Sequence, residues 1–242
     1  MIYEIAGLRV QLEAKFPFTE KFCKGYISDN QDLPADVVAR TTEEECAEEK
    51  AQSPGFSDGY IENICLYRSL CMQLPTLNRM LLHCSVLEYD GNGYAFLGRS
   101  GTGKSTHTKL WLQYLEKTRV INGDKPILQL ANDGFIAYGT PWQGKEGWGC
   151  NCKAPLKGLC FLEQAKQNSI RRLTPSEVSG LLFRQVLLPM EEEQVEKTLE
   201  LIDRLIMTTP AYLLQCDISE EAVKTSFGAL TGLSYEDCKK NV

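Results

Sequence analysis

The chain is expected to fold as a mixed α/β protein, rich in strands and organised around a glycine-rich loop, on three observations. Short runs of β-branched and aromatic residues recur between Gly, Asn and Pro turn signals. Segments with apolar residues three and four positions apart alternate with them. Between one of each lies Gly98-Arg99-Ser100-Gly101-Thr102-Gly103-Lys104-Ser105, a loop of the form G-x4-G-K-[ST]. The 242 residues, 43% hydrophobic and 24% charged, suffice to bury a substantial core and exclude a disordered or fibrous chain.

Taken in order, residues 3–14 alternate around Gly7 as a hairpin, and Val37-Val38-Ala39 adds a strand. The acidic run from Glu43 to Glu49 reads as a solvated helix face, with an acidic partner surface as its rival, and Ser53-Pro54-Gly55 ends it. Residues 60–74 carry Ile61, Ile64, Cys65, Tyr67, Leu70 and Cys71 at helical spacing up to Pro75. With no flexible linker in sight, residues 1–80 are expected to form a small N-terminal α/β subdomain packed on a core of residues 81–242.

That core opens with strands at 81–87 and 94–97, joined by Asp90-Gly91-Asn92-Gly93, where Asn and Gly accept positive φ cheaply. A helix fits residues 104–117, its apolar side Leu110, Trp111, Tyr114 and Leu115. Short strands follow at 119–121, 127–130, 135–138, 158–162 and 169–173. Thr174-Pro175-Ser176-Glu177 is a capping box opening a helix through 183. A helix at 191–207, a strand at 211–216 and a helix capped by Ser219 complete the chain.

Charge and cysteine usage narrow the function. Lys and Arg number 26 against 32 Asp and Glu, a net −6 without a basic patch, which argues against nucleic acid and anionic membrane as partners. The sequence starts without a basic, then apolar leader and holds no run of eighteen apolar residues, so a cytoplasmic protein is expected. The ten cysteines then read mostly as buried thiols rather than a disulfide framework. Cys150 and Cys152 are too few ligands for zinc.

The loop carries the chemistry. Its glycines let successive amides converge on an anion, and the following helix adds its positive end. Gly98, Ser100, Gly101, Thr102, Gly103, Lys104, Ser105 and Thr106 would then hold the phosphates of ATP. Lys104 would bridge the β- and γ-phosphates and Ser105 would take one position on Mg2+. The pattern arises by chance in about one chain in a hundred of this length. An ordinary strand-to-helix turn is the rival, and the apolar strand before and the amphipathic helix after favour the phosphate site.

Transfer chemistry also needs a carboxylate for the metal and a proton acceptor. Asp124, twenty residues after Lys104, ends the strand Val120-Ile121-Asn122, which is expected beside the loop strand; its rival role is a turn aspartate next to Gly123. Asp217 is the later acid that an ordinary ATPase would use. Of two histidines, His107 reads as a helix-surface residue, and His83 lies on the strand paired with the loop strand, as a candidate base or as a satisfied core histidine. Residues 140–149, glycine-rich with Trp142, Lys145 and Trp148, read as a lid with Lys145 near the transferred phosphate and a tryptophan against substrate, or as a plain surface loop. Arg171, Arg172 and Arg184 are further phosphate candidates.

Together, Leu82-His83, the Gly91-Asn92-Gly93 turn, Phe96 to Thr106 and Val120-Ile121-Asn122-Gly123-Asp124 resemble the core of the HPr kinase and phosphoenolpyruvate-carboxykinase-like family over residues 80–140. The resemblance implies a strand-rich P-loop core and ATP-dependent phosphorylation, often of serine. It implies phosphate binding by Lys104, metal binding by Ser105 and Asp124, and an assisting role for His83. HPr kinases usually carry two adjacent aspartates where this chain has Gly123-Asp124, and the retained acid matches the metal-binding one. The expected function is a Mg-ATP-dependent kinase acting on a hydroxyl, of a protein or peptide serine or of a small molecule. An ATP-binding sensor without transfer and an NTP hydrolase are the alternatives.

Overall fold

Alternation of side chains along the strands decides how two sheets are covered. The computed structural model describes residues 1–240. The first sheet pairs β1 (Ile2–Ile5) antiparallel with β2 (Leu8–Leu12) through a turn in which Gly7 takes φ +71°, and adds β3 (Val37–Ala39) parallel to β2. Helices α1 (Pro17–Phe22), α2 (Glu43–Gln52) and α3 (Asp58–Gln73) accompany it. None of the α2 residues is buried, as expected of a solvated acidic face, and Thr42 with Glu45 closes a capping box at its start. Leu66, Leu70 and Leu74 pack with Val10 and Ala39 on one side and with Leu81, Ile127 and Trp142 on the other, so this sheet and the remaining chain share one core.

The second, nine-stranded sheet contains β4 (Arg79–Leu81), β5 (Cys84–Tyr89), β6 (Asn92–Leu97), β7 (Thr118–Asn122), β8 (Ile127–Ala131), β9 (Gly134–Tyr138) and the long β10 (Lys153–Gln164). Its order is β4-β8-β9-β10-β6-β5-β7, with β12 (Ala211–Cys216) beside β10 and β11 (Ser169–Arg172) beside β12. The start of β10 runs antiparallel to β9 and its later part parallel to β6 and β12, with a register shift after Pro155 and Leu156. The shift falls between Leu156 and Gly158, where β10 leaves β9 for β6 and β12, and such an irregularity bends a strand. The result is a mixed α/β structure with a strand-rich, curled sheet.

Helices α5 (Pro175–Leu182) and α6 (Glu192–Thr208) cover one face of the sheet, against Ala95, Leu97, Leu159 and Phe161. Helices α4 (Lys104–Tyr114) and α7 (Glu220–Thr231) cover the other, against Tyr94, Phe96, Cys160 and Leu162. Both central strands are therefore apolar at consecutive positions. Among the described residues no helix is long and apolar enough to cross a membrane.

Four expectations need correction. The segment 81–87 is not one strand: β4 pairs with β8 and β5 with β6 and β7, so the ladder breaks at Leu82 and His83 where the chain changes partners. The strand ahead of Asp124 pairs with β5 and lies one strand away from β6, not beside it. Cys150 and Cys152 form a disulfide, while five of the eight remaining cysteines are buried thiols. His107 is buried, not on the helix surface: its Nε2 lies 2.9 Å from Ser226 Oγ, to which Trp111 Nε1 also donates at 2.9 Å.

Burial holds the His107 pKa at about 4, below its ordinary 6.5. Between those values the unfolded chain binds the proton that the folded one refuses, so stability falls as pH drops from 6.5 toward 4 and is unaffected by this group above 6.5. We expect a loss of about 3 kcal/mol across that window in urea unfolding. His107→Gln should flatten that part of the profile; an unchanged acid slope in the variant would assign it elsewhere.

Candidate active site

The glycine-rich loop follows β6 directly, and its glycines are used for different reasons. A Cβ at Gly98 would stand 2.5 Å from Thr102 Oγ1, so the loop closes only over glycine there. Gly103 takes φ +105° and caps α4 without a side chain, which leaves the first-turn amides of that helix free for an anion. Thr102 donates back to Arg99 O through both its amide, at 3.2 Å, and its hydroxyl, at 2.8 Å. Gln164, at the end of β10, donates to Gly101 O at 3.0 Å and braces the loop from the neighbouring strand. Lys104 folds across the hollow and donates from Nζ to Gly98 O at 2.8 Å. Burial lowers its pKa, against the opposing charges of Asp124 and Cys84.

Opposite the loop stands Asp124, aimed by the residue two before it. Asn122 is fully buried; its Oδ1 accepts from the amides of Asp124 and Lys125 at 2.9 and 2.7 Å. Its Nδ2 donates to both oxygens of Thr140. All the hydrogen-bonding capacity of Asn122 is spent on fixing this turn. His83, freed from the sheet by the break between β4 and β5, places Nε2 3.1 Å from Asp124 Oδ1. Its own amide donates to Gln185 O at 2.7 Å. Burial pushes the Asp124 carboxyl upward, but the His83 hydrogen bond and the charges of Lys125, His83 and Lys104 outweigh it and hold the pKa below the ordinary value. Lys125 Nζ is 3.9 Å from Asp124 Oδ2 and lies over the Tyr67 ring.

The segment 140–149 presses on this acid from above. Gly123 donates its amide to Trp148 O at 2.8 Å, and a Cβ at position 123 would stand 3.0 Å from Gln143 O. A side chain at position 123 would therefore require the backbone of this loop to give by a few tenths of an ångström. At Gly144, with φ +78°, a Cβ would meet Asp124 Cβ at 2.9 Å. Trp142 lines the cleft and is held in place there: it is buried, donates from Nε1 to Asn63 Oδ1 at 3.0 Å and packs on Tyr67. Its role is to anchor the loop to α3.

A cleft of about 920 Å³ joins these parts. Of the residues expected at the site, His83, Ser100, Gly101, Gly103, Lys104, Ser105, Thr106, Asp124, Lys145 and Arg184 line it. Gly98 and Thr102 are absent from its walls and shape the loop from behind. Arg171 pairs with Glu177 on β11, away from the cleft, and Asp217 is held in a turn by Asn168 and Ser219. Sequence reasoning missed Gln164, Lys125, Gln185 and the α3 residues Tyr60, Tyr67 and Arg68; only Asn122, two residues before an acid in an N-G-D turn, carried a local signal.

Among the described residues no group of three or more His, Cys, Asp or Glu side chains is placed to hold a metal ion. Mg2+ takes one or two protein ligands and completes its shell with water and phosphate, so a Mg2+ site is tested on single donors. Asp124, an ionised carboxylate, and the Ser105 hydroxyl line the same cleft and are the donors such an ion uses. The chain matches no protein-family model, and no curated protein matches it.

Proposed function

We propose that the protein is a Mg-ATP-dependent kinase of the HPr kinase and phosphoenolpyruvate-carboxykinase-like P-loop type, transferring the γ-phosphate to a hydroxyl. One observation carries this reading: a glycine-rich loop with a free helix N-terminus and an inward lysine shares a cleft with an aspartate–histidine pair. The loop amides and Lys104 would bind the triphosphate and neutralise charge that builds up during transfer. Ser105 and Asp124 would hold Mg2+, which supplies charge neutralisation and alignment of the phosphates when bound. In the neutral tautomer that carries its hydrogen on Nε2, 3.1 Å from Asp124 Oδ1, His83 would have Nδ1 free to accept the proton of an attacking hydroxyl. Lys145 and Arg184, which have no acidic partner among the described residues, would meet the phosphoryl group from the lid and from the segment after α5.

A second reading, an ATP-binding sensor without transfer, is favoured by Gly123: the second acid is missing and the loop backbone crowds its place. Protein, Mg2+ and γ-labelled ATP incubated with cell extract separate the two. Label in a protein or metabolite is expected for the kinase; free phosphate alone would indicate a hydrolase, and bound but intact ATP a sensor.

A further inference from the structure

The wall of the cleft that faces the loop belongs to the N-terminal subdomain. Tyr60, Ile64, Tyr67 and Arg68 of α3 line it, and Phe22 of α1 closes its far end. From there an aromatic row runs Phe22, Phe18, Tyr60, Phe56, with ring centroids 5.6, 5.7 and 4.5 Å apart in succession. Phe22 and Phe56 are 38% and 50% exposed, and Phe16 next to the row is 43% exposed. A contiguous set of exposed rings at the mouth of a cleft marks a surface that another molecule covers.

The row is built, not incidental. A Cβ at Gly59 would stand 2.8 Å from Phe18 Cβ, so α1 lies on α3 only because residue 59 is glycine. The buried Glu62 carboxylate accepts the amides of Lys15 and Phe16, at 2.8 and 3.0 Å, and fixes the start of α1. Asn63 donates to Thr19 of α1 and accepts from Trp142 at the base of the loop whose Gly144 packs on Asp124. Helix α1 is therefore tied to Asp124 through two hydrogen bonds and the close approach of Gly144.

On the kinase reading above, we propose that the N-terminal subdomain selects the acceptor: this aromatic row binds an apolar or aromatic side chain of a polypeptide whose hydroxyl residue reaches His83 and Asp124. Its three centroid steps cover the span of about four or five extended residues at ~3.3 Å each. A small hydroxyl metabolite fills the cleft beside Asp124 and leaves these rings bare, whereas a polypeptide occupies both. Phe22 and Tyr60 belong to both the row and the cleft lining, and this continuity is the ground for choosing a chain as the occupant.

The test is a positional-scanning library of serine peptides with γ-labelled ATP and Mg2+, run on the full-length protein. Label is expected to concentrate in peptides with Phe, Tyr, Leu or Ile at one fixed offset from serine. With the best peptide, Phe22→Ala and Phe56→Ala should each raise the ratio of peptide KM to ATP KM about tenfold, the loss expected from one apolar contact. Because both rings are partly exposed and the peptide is varied independently, a folding defect in one variant does not decide the outcome. Peptide labelling without apolar preference, a preference unmoved by both variants, or label only in small metabolites overturns the proposal and leaves the kinase reading standing. Absence of transfer to any acceptor overturns both.

Discussion

Lys104→Ala is expected to weaken ATP binding by at least about 100-fold, measured by calorimetric titration, while the melting temperature of the free protein changes little. The ammonium is half-buried and rests on Gly98 O in the free protein, so its charge is already desolvated and waiting at the hollow of the loop. Hydrogen bonds to charged groups contribute about 1.5–3 kcal/mol each, and a lysine bridging two phosphates makes more than one. Every 1.4 kcal/mol is tenfold in affinity, which sets the expected loss. The cost to folding is expected to be small because, among the described residues, the lysine's one hydrogen-bond partner is the backbone carbonyl of Gly98. Lys104→Arg is not expected to rescue binding, since a planar fork does not fit a hollow shaped by Gly98 and Gly103 around a single ammonium. Wild-type affinity in Lys104→Ala would show that the loop is an ordinary turn.

What was legible in the sequence was whatever depends on neighbours in the chain. The capping boxes at Thr42 and Thr174, the Gly7 hairpin, the proline that ends α3 and the loop ahead of α4 are local patterns, and each has the expected secondary structure. The same holds for His83, Lys104 and Asp124 as individual candidates, because residue types and spacing single them out. Their meeting was not legible. It depends on the ladder breaking at His83, which follows from β4 and β5 belonging to different neighbours, and on β5 lying between β6 and β7. Strand order is set by long-range pairing that no short window contains. The anchoring of Trp142 was hidden for the same reason: its hydrogen-bond partner, Asn63, lies 79 residues earlier in the chain. His107 sits one turn into a helix that reads as surface-facing on one side, and only the arrival of α7 with Ser226 buries it.

Asp124→Asn separates binding from transfer. The substitution keeps shape and the turn made by Asn122, because the two amides that Asn122 Oδ1 accepts belong to the backbone. It removes one negative charge from the cleft proposed to receive a triphosphate, so metal-free ATP should bind as well as before or better. Transfer should fall by about a thousandfold or more, because a neutral amide is a poor ligand for a hard cation and no longer steadies His83 when it takes a proton. The signature is therefore an unchanged or lowered Kd for ATP without Mg2+, together with loss of the tightening that Mg2+ gives in the wild type. The pH profile sharpens the assignment. The Asp124 pKa lies below the ordinary 3.8, so this carboxylate is ionised throughout any practical assay range, and its protonation accounts for loss of activity only at strongly acidic pH. Acid loss above about pH 5 in the wild type must come from another group, and Asp124→Asn should lower the rate without abolishing that limb. Asp124→Asn with wild-type turnover would remove the carboxylate from the chemistry. The loop would then remain as a polyphosphate-binding site, with His83 and Asp124 serving only to pin the start of β5 to the turn after β7.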